Sequence, residues 1–268
     1  ALPKLPVVET IFPVTGDARL VIQAAIDRVS ARPPDANGFR GAILLKSGRY
    51  EVNGSLVIRT NGVVLRGEGQ NVPEKGGTEL IATSRTQHSF IRILGAETPG
   101  RTVIGSKRIT TAYVPTGATS FTVDNVAGLS AGDTIKVVRT PNDNWINTLA
   151  MAQYGWRAPE YRIEYPRVIK AINGNSVTIN IPIVQAMENA FGGGEVIQEP
   201  VQGQIRECGV EDMLLSSVYA SDDDEQHGWE ALVLSQSVNC WVRNVTARYF
   251  GYSCVYLDWA NNTAIENC

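Results

Sequence analysis

Four consecutive carboxylates stand close to one of the two histidines of the chain. In chain order the run consists of Asp222, Asp223, Asp224 and Glu225. His227 and Trp229 follow it. Carboxylate oxygens are the ligands that a hard cation such as Ca²⁺ takes, although the EF-hand spacing is absent, and histidine is the most frequent general base near neutral pH. The sequence predicts a calcium or proton-transfer site here, and the alternative is a solvated acidic loop anchored by His227.

The acidic run interrupts a repeat in the last fifth of the chain. Residues 231–234 recur as 254–257, and residues 242–245 recur as 265–268, both at an offset of 23 residues. An earlier copy, 210–213, precedes the copy at 242 by 32 residues, which is one period plus nine. A repeat of this size predicts stacked units that bury their apolar faces on one another. The nine extra residues then form a loop on one face, which in such proteins is often the binding face.

Strand alternation assigns further polar and aromatic side chains to the outer surface of these units. If the apolar residues point inward, the intervening side chains point outward. The outward set is Trp241, Arg243, Tyr256 and Asp258. Arg248 and Tyr249 lie where the strand after Asn244 ends. Arginine pairs bidentately with carboxylate or sulfate, so the set beside His227 predicts an acidic-sugar site, while packing or solvation is the alternative for each residue alone.

A third pattern concerns Asn244 and Asn267, which occupy one repeat position, with Asp212 at the same position in the earlier copy. Short polar side chains at such a position favour tight turns. We predict a stacked ladder of turn side chains rather than ligand contacts.

Composition and charge exclude several classes of function. The 268 residues are 43% hydrophobic, which suffices for a core, and 25 Gly with 13 Pro indicate many turns. The net charge of −3 leaves no electrostatic footprint for nucleic acid or an anionic membrane. Since no apolar run approaches the ~20 residues of a membrane span, neither nucleic acid nor a membrane is predicted as a partner.

The four cysteines do not form a Cys-x-x-Cys pair, so a zinc or redox motif is not predicted. Cys208 and Cys240 share one repeat position. Stacked strands lie about 4.8 Å apart, which would allow a disulfide, but we favour small buried hydrophobic residues in neighbouring units.

The spacing of apolar residues over 16–31 predicts one amphipathic helix. Its expected buried face is Leu20, Ile22, Ala25, Ile26 and Val29. Asp17 suits the helix N-terminus, and Pro33 and Pro34 end the helix. Short apolar stretches divided by Gly and Asn then predict strands as far as residue 94.

The middle of the chain follows a different pattern. Alternation at 111–114, 120–123 and 134–138 predicts antiparallel strands, and residues 167–181 predict a hairpin around Asn173-Gly174. An aromatic segment, 145–165, is predicted to be a mobile loop. We therefore divide the chain into 1–98, with the helix and first strands, 99–203, a β insertion, and 204–268, where the repeat resumes.

Several of these stretches resemble one known superfamily. The helix beginning at Gly16-Asp17, with 22–27, 41–50 and 63–69, is similar to the N-terminus of the pectate-lyase superfamily. Residues 239–246 resemble a rung that passes from its second strand through a tight Asn turn into its third. The resemblance covers roughly 1–95 and 204–268. It implies an all-β fold: a right-handed parallel β-helix with an N-terminal capping helix, here with a small antiparallel β insertion.

The resemblance also implies a function. In that superfamily the connection corresponding to residues 217–229 overhangs a groove that holds a polymer. It implies a secreted or periplasmic lyase that abstracts the proton alpha to a uronate carboxylate and eliminates the linkage. The carboxylate must be neutralised, by Ca²⁺ or by Arg243 or Arg248, and His227 or Tyr249 takes the proton. Trp229, Trp241, Tyr256 and Asp258 would contact the acidic polysaccharide.

Two other functions remain open at this stage, because one fold hosts many activities. A glycoside hydrolase needs two carboxylates, which Asp258 with Asp224 or Glu225 would supply. A tailspike-like or adhesin-like module would bind glycan without cleaving it.

The chain stops at Cys268, on the turn of a rung. Stacked-repeat proteins need polar caps, and open strand edges associate. We therefore expect a fragment of a longer protein, or an oligomer or partner segment that covers the open end.

Overall fold

The computed structural model describes residues 2–98 and 100–268, apart from the side chain of Arg101. Ala1 and the predicted start of the insertion at residue 99 lie outside these residues. The chain divides into two compact units, Ala1–Pro99 with Gly203–Cys268, and Gly100–Gln202. In both units β-strands are the predominant secondary structure.

The first unit begins with β1 (Val7–Ile11), α1 (Arg19–Ser30), β2 (Gly41–Leu45), β3 (Gly48–Val52), β4 (Leu56–Ile58), β5 (Val63–Arg66), a 3₁₀ helix (Pro73–Lys75), β6 (Thr78–Ala82) and β7 (His88–Leu94). The second unit contains β8 (Gly100–Arg101), β9 (Gly105–Arg108), β10 (Tyr113–Val114), β11 (Ser120–Thr122), β12 (Thr134–Arg139), α2 (Asp143–Thr148), β13 (Ile163–Asn173), β14 (Ser176–Ile179), β15 (Met187–Glu188), β16 (Gly194–Gln198) and β17 (Val201–Gln202), with 3₁₀ helices at Ala152–Tyr154, Ala158–Tyr161 and Asn189–Phe191. The first unit resumes with β18 (Ile205–Arg206), β19 (Gly209–Ser217), β20 (Gly228–Ser235), β21 (Ser237–Val238), β22 (Trp241–Arg248), β23 (Ser253–Asp258) and β24 (Ala264–Glu266).

Successive turns of the first unit stack through parallel strands. One sheet follows the order β1, β2, β5, β19, β22, β24, and a second follows β4, β7, β20, β23. Every neighbouring pair on these two paths is parallel. A third column pairs β3 with β6 and β6 with the second half of β19. Equivalent segments of consecutive turns therefore lie on one another.

The register of the stack follows the sequence repeat. Val242 pairs with Ile265, and Leu232 with Val255, so both pairs have the 23-residue offset. Val210 pairs with Val242, across the longer unit. The predicted parallel stacking is confirmed. Val242 is fully buried, whereas Ile265, in the last strand, is 48% exposed, so the predicted inward burial holds for Val242 alone of this pair.

The predicted ladder of turn side chains is present. Asp212, Asn244 and Asn267 have φ values of 57°, 51° and 52°, a left-handed conformation that Asn and Asp tolerate best among non-glycine residues. Asn244 Nδ2 donates to Asp212 Oδ1 at 2.7 Å, and Asn267 Nδ2 donates to Asn244 Oδ1 at 3.2 Å. The strands predicted on either side of Asn244 are one continuous strand, β22, because pairing with β19 resumes after this turn.

A second ladder follows the same chemistry at positions that the sequence did not single out. Glu207, Asn239 and Asn262 are also left-handed, with φ values of 58°, 55° and 52°. Asn239 Nδ2 donates to Glu207 Oε1 at 2.7 Å, and Asn262 Nδ2 donates to Asn239 Oδ1 at 2.6 Å. Two ladders of side-chain hydrogen bonds, at two separate bends of the backbone, therefore connect successive turns of the stack.

Helix α1 covers the first turn of the stack. It packs on β1, β2, β4 and β5. Ile22, Ala25, Ile26 and Val29 are buried in the main core, as predicted. Leu20 is 72% exposed, so its assignment to the buried face is wrong.

The start of this helix also differs from the prediction. It begins at Arg19 rather than at residue 16, because Gly16 has a φ of 79°. Asp17 precedes the helix and accepts the backbone N–H groups of Arg19 and Asn53 at 2.9 and 3.0 Å. Its carboxylate joins the helix start to β3 and the turn that follows.

The second unit has its own antiparallel sheet and apolar core. The predicted hairpin is present: Asn173 pairs with Ser176 across a loop of Gly174 and Asn175, and Gly174 has a φ of 56°. The aromatic segment, which was predicted to be a mobile loop, has local secondary structure. It contains α2 and two 3₁₀ helices, and the rings of Trp156 and Tyr161 stack at 4.2 Å.

Two of the four cysteines were candidates for a disulfide. Cys208 and Cys240 are buried as free thiols, in agreement with their assignment as small apolar residues. Among the described residues, no helix has the length and apolar character needed to cross a membrane.

Truncation of the buried face of α1 tests its role as a cover. We predict that Ile26→Ala costs about 2–5 kcal/mol of unfolding free energy, because it leaves a cavity in the core. Leu20→Ala on the exposed face is the matched control and should change stability by less than about 0.5 kcal/mol. Chemical denaturation measures both. Equal, small losses would mean that the helix does not close the core.

Candidate functional site

The connection between β19 and β20 borders an open cavity of about 590 Å³. The residues that line it include the whole acidic run together with His227, Trp229 and Tyr249. The structure thus brings these predicted site residues together. Tyr219, Phe250 and Gly251 also line the cavity and were not predicted.

Asp224 holds the acidic loop in shape. Its two carboxylate oxygens accept the backbone N–H groups of Ala220 and Gln226, each at 2.8 Å. These two bonds are the main reason that the pKa of Asp224 lies below its ordinary value. Arg85 Nη1 lies 3.6 Å from Asp224 Oδ2. Both carboxylate oxygens of Asp224 are therefore bonded within the loop, whereas Asp222, Asp223 and Glu225 are exposed.

The acidic side chains do not converge. Among the residues that the structure describes, no three His, Cys, Asp or Glu side chains are grouped as a metal site requires. The run has the right ligand chemistry for Ca²⁺, but Asp224 uses its oxygens on backbone N–H groups. Calcium binding at Asp222–Glu225 stays a prediction.

His227 is fixed by a hydroxyl group at the end of β19. Its Nδ1 lies 3.1 Å from Ser217 Oγ, which also accepts the backbone N–H of Gly228 at 3.0 Å. The same hydroxyl lies 3.3 Å from the carbonyl oxygen of Val218. All three contacts are satisfied together when Ser217 donates to Val218 and accepts from His227 Nδ1–H. This arrangement assigns the lone pair of the neutral imidazole to Nε2.

A glycine lies beside the Nε2 side of the imidazole. A Cβ on Gly251 would lie 3.5 Å from His227 Nε2 and 2.5 Å from ring atoms of Trp229. The backbone N–H of Gly251 donates to Gly228 at 3.0 Å, which places this glycine beside the histidine. His227 itself is only 5% exposed. It is thus a packed residue at the cavity wall.

Tyr249 and Arg248 lie at the edge of the same cavity. Tyr249 has a φ of 66°, so the turn after β22 directs its side chain outward, and it is 55% exposed. Its ring centroid is 5.7 Å from that of Tyr219. The Arg248 guanidinium lies 5.5 Å from the Tyr249 ring, while its Nη2 pairs with Glu79 Oε1 at 3.2 Å. Arg248 is a neighbour of the cavity rather than a lining residue.

The side chains of Trp241 and Arg243 point out of the main core, but both are hydrogen-bonded to Glu211. Trp241 Nε1 donates to Glu211 Oε1 at 2.8 Å, and Arg243 Nη2 lies 2.7 Å from Glu211 Oε2. Arg66 Nε approaches the same carboxylate at 3.0 Å. Trp241 is 1% exposed and packs against Phe39 at a centroid distance of 6.2 Å. Trp241 is buried beside Glu211, so its assignment to substrate contact is wrong. Arg243 pairs with the same carboxylate, and its catalytic role stays a prediction.

Tyr256 and Asp258 lie on the outer surface but outside the cavity. Tyr256 is 42% exposed, and Asp258 Oδ2 accepts from Ser235 Oγ at 2.9 Å. Neither lines the cavity with Asp224 and Glu225. The carboxylate pair that a hydrolase would need from Asp258 and the acidic run is not assembled in this cavity.

Comparison with known proteins assigns no family. No protein-family model matches the sequence, and no curated protein matches it significantly. Three solved phage tailspikes share a low structural similarity with the chain, and it spans less than half the length of each of them.

The first is the Gp54 tailspike of Acinetobacter baumannii bacteriophage AP22, solved with A. baumannii capsular saccharide: 13% identity, TM-score 0.40, over 85% of this chain and 34% of that one. The tailspike gp61 of Pseudomonas phage phi297 gives 13% and 0.40, over 91% and 40%. The tailspike gp49 of Pseudomonas phage LKA1 gives 14% and 0.37, over 90% and 44%. Similarity at this level does not transfer a ligand or an activity to the chain.

The Glu211 network makes a pH-dependent contribution to stability. Burial raises the pKa of Glu211, but the hydrogen bonds from Trp241, Arg243 and Arg66 outweigh it and leave the pKa below the ordinary value. A carboxyl with a lowered pKa stabilises the fold above its unfolded-state pKa of about 4.3 and loses that contribution as pH falls further. Glu211→Gln should therefore cost about 1–3 kcal/mol at neutral pH, and the difference from wild type should shrink in acid.

The control for this prediction is Glu97→Gln at an exposed position, which should change stability by less than about 0.5 kcal/mol. Urea denaturation between neutral pH and pH about 3 measures the effect. A wild-type advantage that stays constant on acidification would show that Glu211 is not ionised in the folded state.

Proposed function

We propose that this cavity binds a polysaccharide and cleaves it by β-elimination beside a uronic acid, with His227 as the proton acceptor. The observation that carries the proposal is the fixed imidazole: Ser217 Oγ lies 3.1 Å from Nδ1, and His227 lines the cavity. A general base has to be held within reach of the proton that it removes. A lyase of this kind would act outside the cytoplasm, in the secreted or periplasmic location that the resemblance implies.

We extend the proposal to the fold of the first unit, a right-handed parallel β-helix. The support is the parallel pairing of equivalent segments in consecutive turns. Connections between parallel strands of one sheet are right-handed in almost all known cases. This is also the architecture that the superfamily resemblance implies.

The chemistry assigns one role to each cavity group. His227 Nε2 takes the proton alpha to the uronate carboxylate, and the electron pair of that C–H bond forms the new double bond as the glycosidic oxygen leaves. The Tyr249 hydroxyl, at the edge of the same cavity, protonates the leaving oxygen. Outside the cavity lining, Arg248, 5.5 Å from the Tyr249 ring, and Arg85, whose Nη1 lies 3.6 Å from Asp224 Oδ2, supply the positive charge that opposes the carboxylate.

A non-catalytic glycan-binding role is the second candidate. One observation favours it: three exposed carboxylates line the cavity, and no arginine or lysine is among its described lining residues. Like charges at close range disfavour a polyanion, and solvent and salt weaken the repulsion without removing it. This alternative would leave the His227 environment as a structural feature.

Removal of the imidazole tests catalysis. We predict that His227→Ala and His227→Gln each lower turnover by about 100-fold, as expected for the loss of a general base. The assay is the ultraviolet absorbance of the unsaturated uronide formed from polygalacturonate or alginate. His88→Ala, at the other histidine, is the matched control and should keep full turnover.

Folding has to be measured beside activity. Because His227 is buried and bonded to Ser217, its replacement should cost about 1–3 kcal/mol of stability. Glutamine can still donate a hydrogen bond towards Ser217 and is the milder change. Intact turnover in a folded His227 variant would overturn the catalytic assignment. Reducing ends without the absorbance would indicate hydrolysis, and binding without any product would indicate the second candidate.

A further inference from the structure

A row of aromatic rings leads from the cavity onto the outer surface of the stack. The rings of Trp229 and Tyr252 are nearly parallel, with an interplanar angle of 9° and centroids 6.0 Å apart. Tyr256 follows, with its centroid 6.2 Å from that of Tyr252. Tyr252 is 62% exposed and Tyr256 is 42% exposed. We call Trp229, Tyr252 and Tyr256 the aromatic row.

The stacking of turns fixes this row. The backbone N–H of Tyr252 donates to Trp229 at 2.9 Å, and Gly251 leaves room for the Trp229 ring. Tyr256 stands on β23 directly beside Val233 of β20. Since Trp229 also lines the cavity, the row is continuous with the proposed cleavage site.

A cation lies on the same sheet face. Val233 pairs with Tyr256 on one side and with Arg92 on the other, and paired residues point the same way. Two strand spacings separate Arg92 from Tyr256, which is about 10 Å. Among the described residues, Arg92 is in no ion pair, and its buried Nε has no hydrogen-bond partner. An arginine without a carboxylate partner is suited to bind an external anion.

We propose that the aromatic row and Arg92 form a subsite for consecutive units of an acidic oligosaccharide outside the cavity. Aromatic faces carry negative charge density, which attracts the polarised C–H faces of sugar rings, and the Arg92 guanidinium pairs with a carboxylate or sulfate. The inference rests on the proposed function for the identity of the polymer. It adds that the protein binds an internal stretch of the polysaccharide. Affinity therefore rises with oligosaccharide length, and cleavage occurs within the polymer.

Calorimetric titration with short and long oligosaccharides of polygalacturonate and alginate tests the subsite. Tyr252→Ala should weaken binding of the long oligosaccharides about three- to tenfold. Arg92→Gln should weaken it about tenfold and reduce its salt dependence. Both should leave the short oligosaccharides, which occupy the cavity alone, nearly unaffected. Tyr113→Ala, at an exposed tyrosine of the second unit, is the matched control and should bind like wild type.

Two outcomes would overturn the inference: long oligosaccharides that bind both variants as tightly as wild type, or no binding of any oligosaccharide to the wild-type protein. Cleavage is measured separately by absorbance. Length-dependent binding that Arg92→Gln weakens, without any product, would support the subsite and remove the proposed lyase activity. Cleavage that persists with unchanged binding in both variants would keep the lyase and remove the subsite.

Discussion

The first unit depends on hydrogen bonds between side chains of residues with a left-handed backbone conformation, which hold successive turns of the stack in register. At two corners of the stack, Asn and acidic side chains bond to their equivalents in the next turn. A residue other than glycine is strained in the left-handed backbone conformation. The hydrogen bond to the equivalent residue in the next turn of the stack offsets that strain. Because side chains alternate along each strand, a shift of one residue would exchange the core and the surface. The ladders thus determine which side chains reach the outer face.

The candidate site follows from that register. One turn contains nine extra residues, and they leave the stack just after β19, where Ser217 ends the strand. The next turn brings Gly251 beside Gly228, so that His227 lies between the Ser217 hydroxyl and Gly251. Neither glycine tolerates a Cβ: at Gly228 it would meet Ser217 Oγ at 2.8 Å. The geometry of the imidazole is therefore a property of two stacked turns rather than of the loop alone.

Sequence patterns predicted the parallel stacking, the Asn244 ladder, most of the buried face of α1 and the hairpin in the second unit, because each rests on a periodicity or a local turn preference. They failed where long-range partners decide. Outward alternation was right for Trp241 and Arg243, but no pattern showed that Glu211 on a neighbouring strand takes up both. Likewise, nothing local to His227 indicated that Ser217 and Gly251 bury it. Tyr252 was missed because it lies in a turn, where alternation makes no prediction.

The tautomer of His227 and its response to glycan test the central assignment most directly. The chain has two histidines, so heteronuclear NMR of the imidazole nitrogens resolves His227 with His88 as an internal reference. We expect the proton of the neutral His227 ring on Nδ1, and we expect the Nε2 signal to move when long polygalacturonate or alginate oligosaccharides are added while that of His88 stays constant. A proton on Nε2 in the free protein, or a His227 signal that no oligosaccharide moves, would contradict the assignment.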